Sequence, residues 1–210
     1  MVQIITAAKG QNGAEILQWR TQFASLAGTG LRCGEGFGLH VADLDLNNGR
    51  IYVRRSVYQQ QEVSVKTRKG NRVVHIEAVL VQMLRQHLSG RTSGRVFQTR
   101  NSTPFSKDNV RRKLHSILDD LNLKRGGLHA FRHGRVSFLR KSGVADKIVQ
   151  DWIGHSALRM ADLYTHFEDA DRRQVANDLG ALEGVSPLIL SVIAPNAPKS
   201  EEVAVESDAA

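Results

Sequence analysis

A chain of 210 residues with 41% hydrophobic and 24% charged positions can bury one core of ordinary size, which excludes a wholly disordered polymer or a disulfide-stapled miniprotein. The formal charge of +8 favours a polyanionic partner, and it is unevenly placed: Lys199 stands against Glu183, Glu201, Glu202, Glu206 and Asp208, so residues 1–180 are more basic than the whole. Cys33 is the only cysteine, which excludes an internal disulfide, and the sequence reads without a signal peptide or a stretch of transmembrane length; the expectation is a cytoplasmic protein with no membrane partner.

Apolar residues three and four apart, from Ile16 and Leu17 to Phe23 and Leu26, predict a helix over 14–26 with one buried face, interrupted by Gly28 and Gly30. Residues 31–39 read as a second short helix with Arg32 projecting from its start. Asn47-Asn48-Gly49 is a turn signal, and the β-branched and aromatic residues at 51–53, 57–58, 63–65 and 73–76 predict a small antiparallel sheet with Lys66 at its second turn. The helical period returns over 78–88, over 106–121 with Ser106 as N-cap, and over 129–141, 145–152 and 158–166. Asp169 is placed to cap a last helix ending near Leu179, with Gly180 as its stop. Pro187, Pro195 and Pro198 then mark residues 181–210 as an acidic, mostly flexible tail behind a domain at 1–180. The stripe Val79, Leu80, Met83, Leu84 and Leu88 reads as core, as do Trp19 and Trp152.

The chemistry concentrates in a few places. In Leu128-His129-Ala130-Phe131-Arg132-His133, His129 and Arg132 share one helical face, where a phosphate can touch both. His129 and His133 have the spacing of two zinc ligands, but Ala130 stands where a metalloprotease helix needs its general-base Glu. Gly154-His155-Ser156 is followed, nine residues after His155, by Tyr164-Thr165-His166. A phenol with a reference pKa of about 10 needs a positioned acceptor or nearby cations to attack at neutral pH. Glu35 follows Arg32 by three residues and can orient its guanidinium. Lys66 lies in a basic turn where Arg68, Lys69 and Arg72 are equally available as phosphate clamps. Singly, these residues also read as a surface ion pair, a basic turn and a half-buried aromatic. As a set, Arg32, Lys66, His129, Arg132, His155 and Tyr164 suit a phosphodiester, whose transition state gathers charge on oxygens that guanidinium forks can hold bidentately.

In this order, Thr29-Gly30-Leu31-Arg32-x-x-Glu35, Lys66-Thr67, Leu128-His129-x-x-Arg132-His133, Gly154-His155-Ser156 and Tyr164-Thr165-His166 resemble the tyrosine recombinases, the phage integrase and Xer-type family. The resemblance implies a mainly α-helical catalytic domain with a small antiparallel three-stranded sheet (α+β). It implies that Tyr164 attacks the scissile phosphate to leave a 3′-phosphotyrosyl bond, with Arg32 and Arg132 on the non-bridging oxygens. Lys66 would protonate the departing 5′-oxygen, His129 would assist proton removal from Tyr164, His155 would hydrogen-bond the phosphate, and Glu35 and His133 would support the pocket. No metal and no cofactor is implied. The implied partner is double-stranded DNA, bound by a homo-tetramer that is a monomer or weak oligomer when free.

Departures from the family pattern are Ala130, Phe131 and Gly134 around the first motif and Met160-Ala161-Asp162 before the tyrosine. With only 31 residues ahead of Arg32, the N-terminal core-binding domain of full-length relatives is expected to be absent. The apolar run at 185–193 is a candidate docking segment for a neighbouring protomer. Two other functions fit part of the residue set: a type IB topoisomerase-like nicking and closing enzyme, and a non-catalytic DNA-binding remnant of an integrase.

Overall fold

The computed structural model describes residues 1–64 and 71–154, together with 173, 176 and 178. Along the chain its helices are α1 (Val2–Thr6), α2 (Gly13–Thr29), α3 (Cys33–Phe37), α4 (Ala78–Leu88), α5 (Lys107–Asp120), α6 (His129–Lys141) and α7 (Asp146–Ile153). Its strands are β1 (Leu44–Asp45), β2 (Arg50–Val53), β3 (Arg55–Tyr58), β4 (Gln61–Ser64) and β5 (Arg72–His75). No helix among the described residues is long and apolar enough to cross a membrane.

The core forms around α2. Asn12 caps it by accepting the Glu15 N–H at 2.9 Å, and Gly30 ends it in the left-handed conformation at φ 67°. Every residue from Thr21 to Thr29 is buried, so the helix is enclosed on all sides in its second half and runs straight through Gly28. Its buried hydroxyls turn back onto the helix: Ser25 Oγ donates to the Thr21 carbonyl at 2.8 Å, and Thr29 Oγ1 donates to that of Ser25. α4 and α6 pack against it, α4 through the expected Leu80, Met83, Leu84 and Leu88. Stacked rings join α2 to its neighbours: Trp19 lies 4.8 Å from Phe105, just ahead of α5, and Phe23 lies 5.8 Å from Phe131 on α6.

The expected helices over 78–88, 106–121, 129–141 and 145–152 are present within a residue or two, with Ser106 accepting the Asn109 N–H as N-cap. Those expected at 158–166 and after Asp169 fall outside the described residues, apart from the three isolated positions. The sheet differs in membership. A three-stranded antiparallel sheet has the order β1-β2-β5, with Leu44 opposite Ile51 and Ile51 opposite Val74, whereas β3 and β4 form a separate two-stranded sheet. Gln59 and Gln60 close that hairpin at φ 47° and 63°, the twist that a two-residue hairpin turn requires. β1 was not expected, since two residues carry no alternation to detect.

Candidate functional site

Where α2 stops, the Gly30 N–H closes onto the Leu26 carbonyl at 3.0 Å and the chain reverses. Arg32 then stands immediately before α3, and Glu35, one turn along, reaches back to it. One Glu35 oxygen accepts the Arg32 backbone N–H at 2.9 Å, and the other accepts Nη1 of its guanidinium at 2.9 Å. Glu35 is buried while the Arg32 side chain remains 45% exposed, so a fixed carboxylate orients a cation that solvent can still reach.

Arg132 comes from α6 and is 6% exposed. Its Nη1 donates to the Gly30 carbonyl at 2.9 Å and its Nη2 to that of Ile153 at 2.7 Å, so it bridges the C-cap carbonyl of α2 and the last carbonyl of α7. Arg32 Nη2 approaches the adjacent Gly154 carbonyl at 3.3 Å, and Trp152 Nε1 donates to the Thr29 carbonyl at 3.0 Å. The two arginines, 100 positions apart in sequence, thus share one frame of helix-terminal carbonyls. Gly30 and Gly154 permit the approach: both have positive φ, and a Cβ on Gly30 would stand 2.7 Å from Ile153 Cδ1.

A third guanidinium completes the cluster. Arg72, the first residue of β5, places Nη1 and Nη2 at 3.0 and 2.8 Å from the two Glu35 oxygens and Nε at 2.9 Å from the Trp152 carbonyl. Its availability as a phosphate clamp, expected from the sequence, is not what the structure gives, because its side chain is 7% exposed and engaged with Glu35. This partnership spans 37 positions, and the only hint in the sequence was a basic residue at the start of a strand.

Three guanidiniums facing one carboxylate leave an excess of positive charge. Burial lowers the Arg132 pKa to about 10, the Arg32 and Arg72 charges push the same way, and Glu35 opposes them. Arg132 remains a cation at neutral pH. Burial would by itself raise the Glu35 carboxyl, but hydrogen bonds and charge from Arg72, then the Arg32 contacts, hold it below the usual carboxylate range. His129 opens α6 with its ring exposed, 6.0 Å centroid to centroid from His133 and nearly perpendicular to it. Desolvation lowers its pKa from the ordinary 6.5, aided by the charges of His133, Lys107, Arg132 and Arg32. A neutral imidazole able to accept a proton therefore sits beside arginines suited to an anion.

The structure brings Arg32, Glu35, His129, Arg132 and His133 into one region; Lys66, His155 and Tyr164 lie outside the described residues. Among the described residues, no three His, Cys, Asp or Glu side chains converge as metal ligands.

Comparison with known proteins shows the family to which the chain belongs. The model of the phage integrase family matches residues 1–171. Tyrosine recombinase XerC of Halalkalibacterium halodurans is 29% identical over 168 residues, covering 79% of this chain and 55% of that protein. The chain spans about half the length of the curated relatives it matches first. Among solved structures, the Tn1549 transposon integrase in complex with circular intermediate DNA superposes with a TM-score of 0.64 at 22% identity, over 81% of this chain and 62% of that one. XerA recombinase does so with 0.60 at 22%, over 82% and 58%. These likenesses establish the helix-rich fold with small antiparallel sheets.

Proposed function

Because the chain belongs to the phage integrase family, we propose that it is a site-specific recombinase that cuts and rejoins DNA strands through a 3′-phosphotyrosyl intermediate. One observation carries the proposal: Arg32 and Arg132, from distant segments, are held on a common frame with cationic charge in excess and an exposed, neutral-leaning His129 beside them. That arrangement accepts a phosphodiester and stabilises the charge that develops on it.

In the cleavage step Tyr164 Oη forms a bond to phosphorus while the bond from phosphorus to the 5′-oxygen breaks. The phenolic proton passes to His129, and Lys66 supplies the proton that the 5′-oxygen takes up. Arg32 and Arg132 hold the non-bridging oxygens, His155 adds a hydrogen bond, and Glu35 and His133 support the pocket. The phosphotyrosyl bond keeps the energy of the broken linkage, so a 5′-hydroxyl can religate without a nucleotide cofactor. The roles of Lys66, His155 and Tyr164 rest on sequence motifs. We assign the catalytic unit, with the α-helical recombinase fold and its three-stranded sheet, to residues 1–180, and the tail to 181–210. The partner is double-stranded DNA in the cytoplasm, with a homo-tetramer as the assembly that exchanges strands.

The test begins by selecting bound duplexes from a randomised DNA pool, which supplies the unknown site. The selected duplexes are then nicked beside each candidate position, so that the short cleaved strand diffuses away and traps the intermediate. A protein–DNA adduct that survives denaturation, and is lost in Tyr164→Phe, is expected. Strong selection of a site with no adduct at any nick position would leave DNA binding without catalysis and overturn the proposal.

A further inference from the structure

We propose that Arg72 is a positioning residue for strand cleavage, acting through Glu35 on Arg32. The inference rests on the recombinase function above and adds to it a residue that does not touch the phosphate. Arg72 is engaged on three sides by fixed acceptors: both oxygens of Glu35 at 3.0 and 2.8 Å, and the Trp152 carbonyl at 2.9 Å. Its guanidinium also packs against Gly154, where an added Cβ would lie 3.0 Å from Nη1. Glu35 in turn sets Arg32, through both its backbone N–H and its guanidinium.

Two consequences follow for Arg32. Geometrically, a carboxylate pinned by a bidentate fork can present its remaining lone pairs to Arg32 in one direction only. Electrostatically, the Glu35 charge is shared with Arg72, so Arg32 keeps positive character for an incoming phosphate. If Arg72 were lost, Glu35 would pair with Arg32 alone, drawing its guanidinium inward and cancelling the charge that the phosphate needs. Arg72 also ties together β5, α3 and α7. As the first residue of β5 it bonds the Trp152 carbonyl, and so ties the start of that strand to the last turn of α7. A single ammonium cannot make the bidentate contact and the third bond together, so Arg72→Lys preserves charge while removing the geometry.

The experiment uses the full chain and two suicide duplexes of the selected site, one with a normal scissile phosphate and one with a methylphosphonate there. The methylphosphonate removes a non-bridging charge, so cleavage of it depends less on Arg32. For Arg72→Lys we expect DNA affinity within about twofold of the unsubstituted chain and phosphodiester cleavage slowed about 10- to 100-fold, with the loss shrinking to about threefold or less on the methylphosphonate. Arg55→Lys, which alters the ion pair to buried Asp43 at 3.0 Å, serves as the structural comparison and is expected to lower the melting temperature without changing cleavage per folded molecule.

If Arg72→Lys does not fold, Glu35→Gln combined with Arg72→Met removes both charges at once. That double variant is expected to fold and still cleave the phosphodiester slowly and the methylphosphonate better. Equal losses on the two substrates, or no loss, would show that Arg72 is only a structural ion-pair partner. A chain with unaltered Arg72 that yields no Tyr164-dependent adduct overturns the recombinase function and this inference with it. One that cleaves while its Arg72→Lys variant cleaves equally fast overturns this inference alone.

Discussion

Two buried carboxylates in this protein each hold two arginines, and they do different things. Asp43, whose side chain is 1% exposed, pairs with Arg55 at 3.0 Å and Arg54 at 3.5 Å and accepts the His40 N–H at 2.9 Å. Glu35, 3% exposed, pairs with Arg72 and Arg32 at 2.8 and 2.9 Å. The Asp43 cluster is local: its partners lie within 12 positions and it braces the start of the β3–β4 hairpin. The Glu35 cluster joins segments far apart in sequence, and Arg132 lies close enough for both Glu35 and Arg32 to act on its charge. A buried carboxylate with two arginines is therefore not in itself a mark of function. The mark is the additional cation, held by the peptide carbonyls of Gly30 and Ile153, that the carboxylate does not neutralise.

Removing the carboxylate charge from each cluster tests this contrast most severely. Glu35→Gln leaves Arg72 buried without a counter-charge, and a loss of about 3–5 kcal/mol is expected, with cleavage falling about 100-fold or more in whatever remains folded. Asp43→Asn is expected to cost less, about 1–3 kcal/mol, because Arg54 and Arg55 can turn to water, and cleavage per folded molecule should not change. Denaturant melts beside adduct formation measure both. Parallel losses of catalysis in the two variants would erase the distinction. The Glu35 contribution also has a pH signature: its folded pKa is depressed, so this stability is complete above the unfolded value of 4.5 and is lost as pH falls through the folded pKa.

The next effect separates catalysis from stability entirely. Arg32 and Arg54 are similarly exposed, at 45% and 51% of their side chains, so truncating either to Ala should cost about 1 kcal/mol or less. Adduct formation is expected to fall about 100- to 1000-fold in Arg32→Ala and to stay within about twofold in Arg54→Ala. Single-turnover rates on the selected duplex decide this, and a comparable fall in Arg54→Ala would move the functional site to the hairpin.

The sequence was most legible where one element carries the whole signal. His129 and Arg132 share α6, whose limits of His129–Lys141 follow from periodicity, and the Arg32 to Glu35 contact is a one-turn pairing that spacing predicts. Ser106 likewise announces α5 by its capping chemistry. What was not legible depends on contacts between elements. Arg72 appears in sequence as one more cation in a basic turn, and only the placement of β5 beside α7, with the Arg72 side chain reaching α3, makes it the partner of Glu35. The carbonyl frame at Gly30, Ile153 and Gly154 is invisible for a related reason: backbone acceptors carry no residue identity. The antiparallel sheet is legible but its membership is not, because β2 and β3 are separated by Arg54 alone, and a period-2 pattern cannot say whether the chain turns into a second sheet there.

The smallest expected effect reads the pocket's charge directly. His129 has a pKa below 6.5 from desolvation first and then from His133, Lys107, Arg132 and Arg32. Between that folded pKa and 6.5 the folded chain binds fewer protons at His129 than the unfolded chain, so this residue's contribution is intact above 6.5 and lost as pH falls through the window. The same protonation removes the acceptor for the Tyr164 proton, and adduct formation should decline on the acid side. An imidazole NMR titration of the free chain should give a His129 midpoint below 6.5. Arg32→Ala should move that midpoint upward, since one of the opposing charges is gone, while Arg54→Ala should leave it in place. Adding the selected duplex should also move it upward, because the phosphate offsets the arginines. A midpoint that responds equally to Arg32 and Arg54, or not at all to DNA, would mean that the excess positive charge around Arg132 does not reach His129 and cannot set its protonation for catalysis.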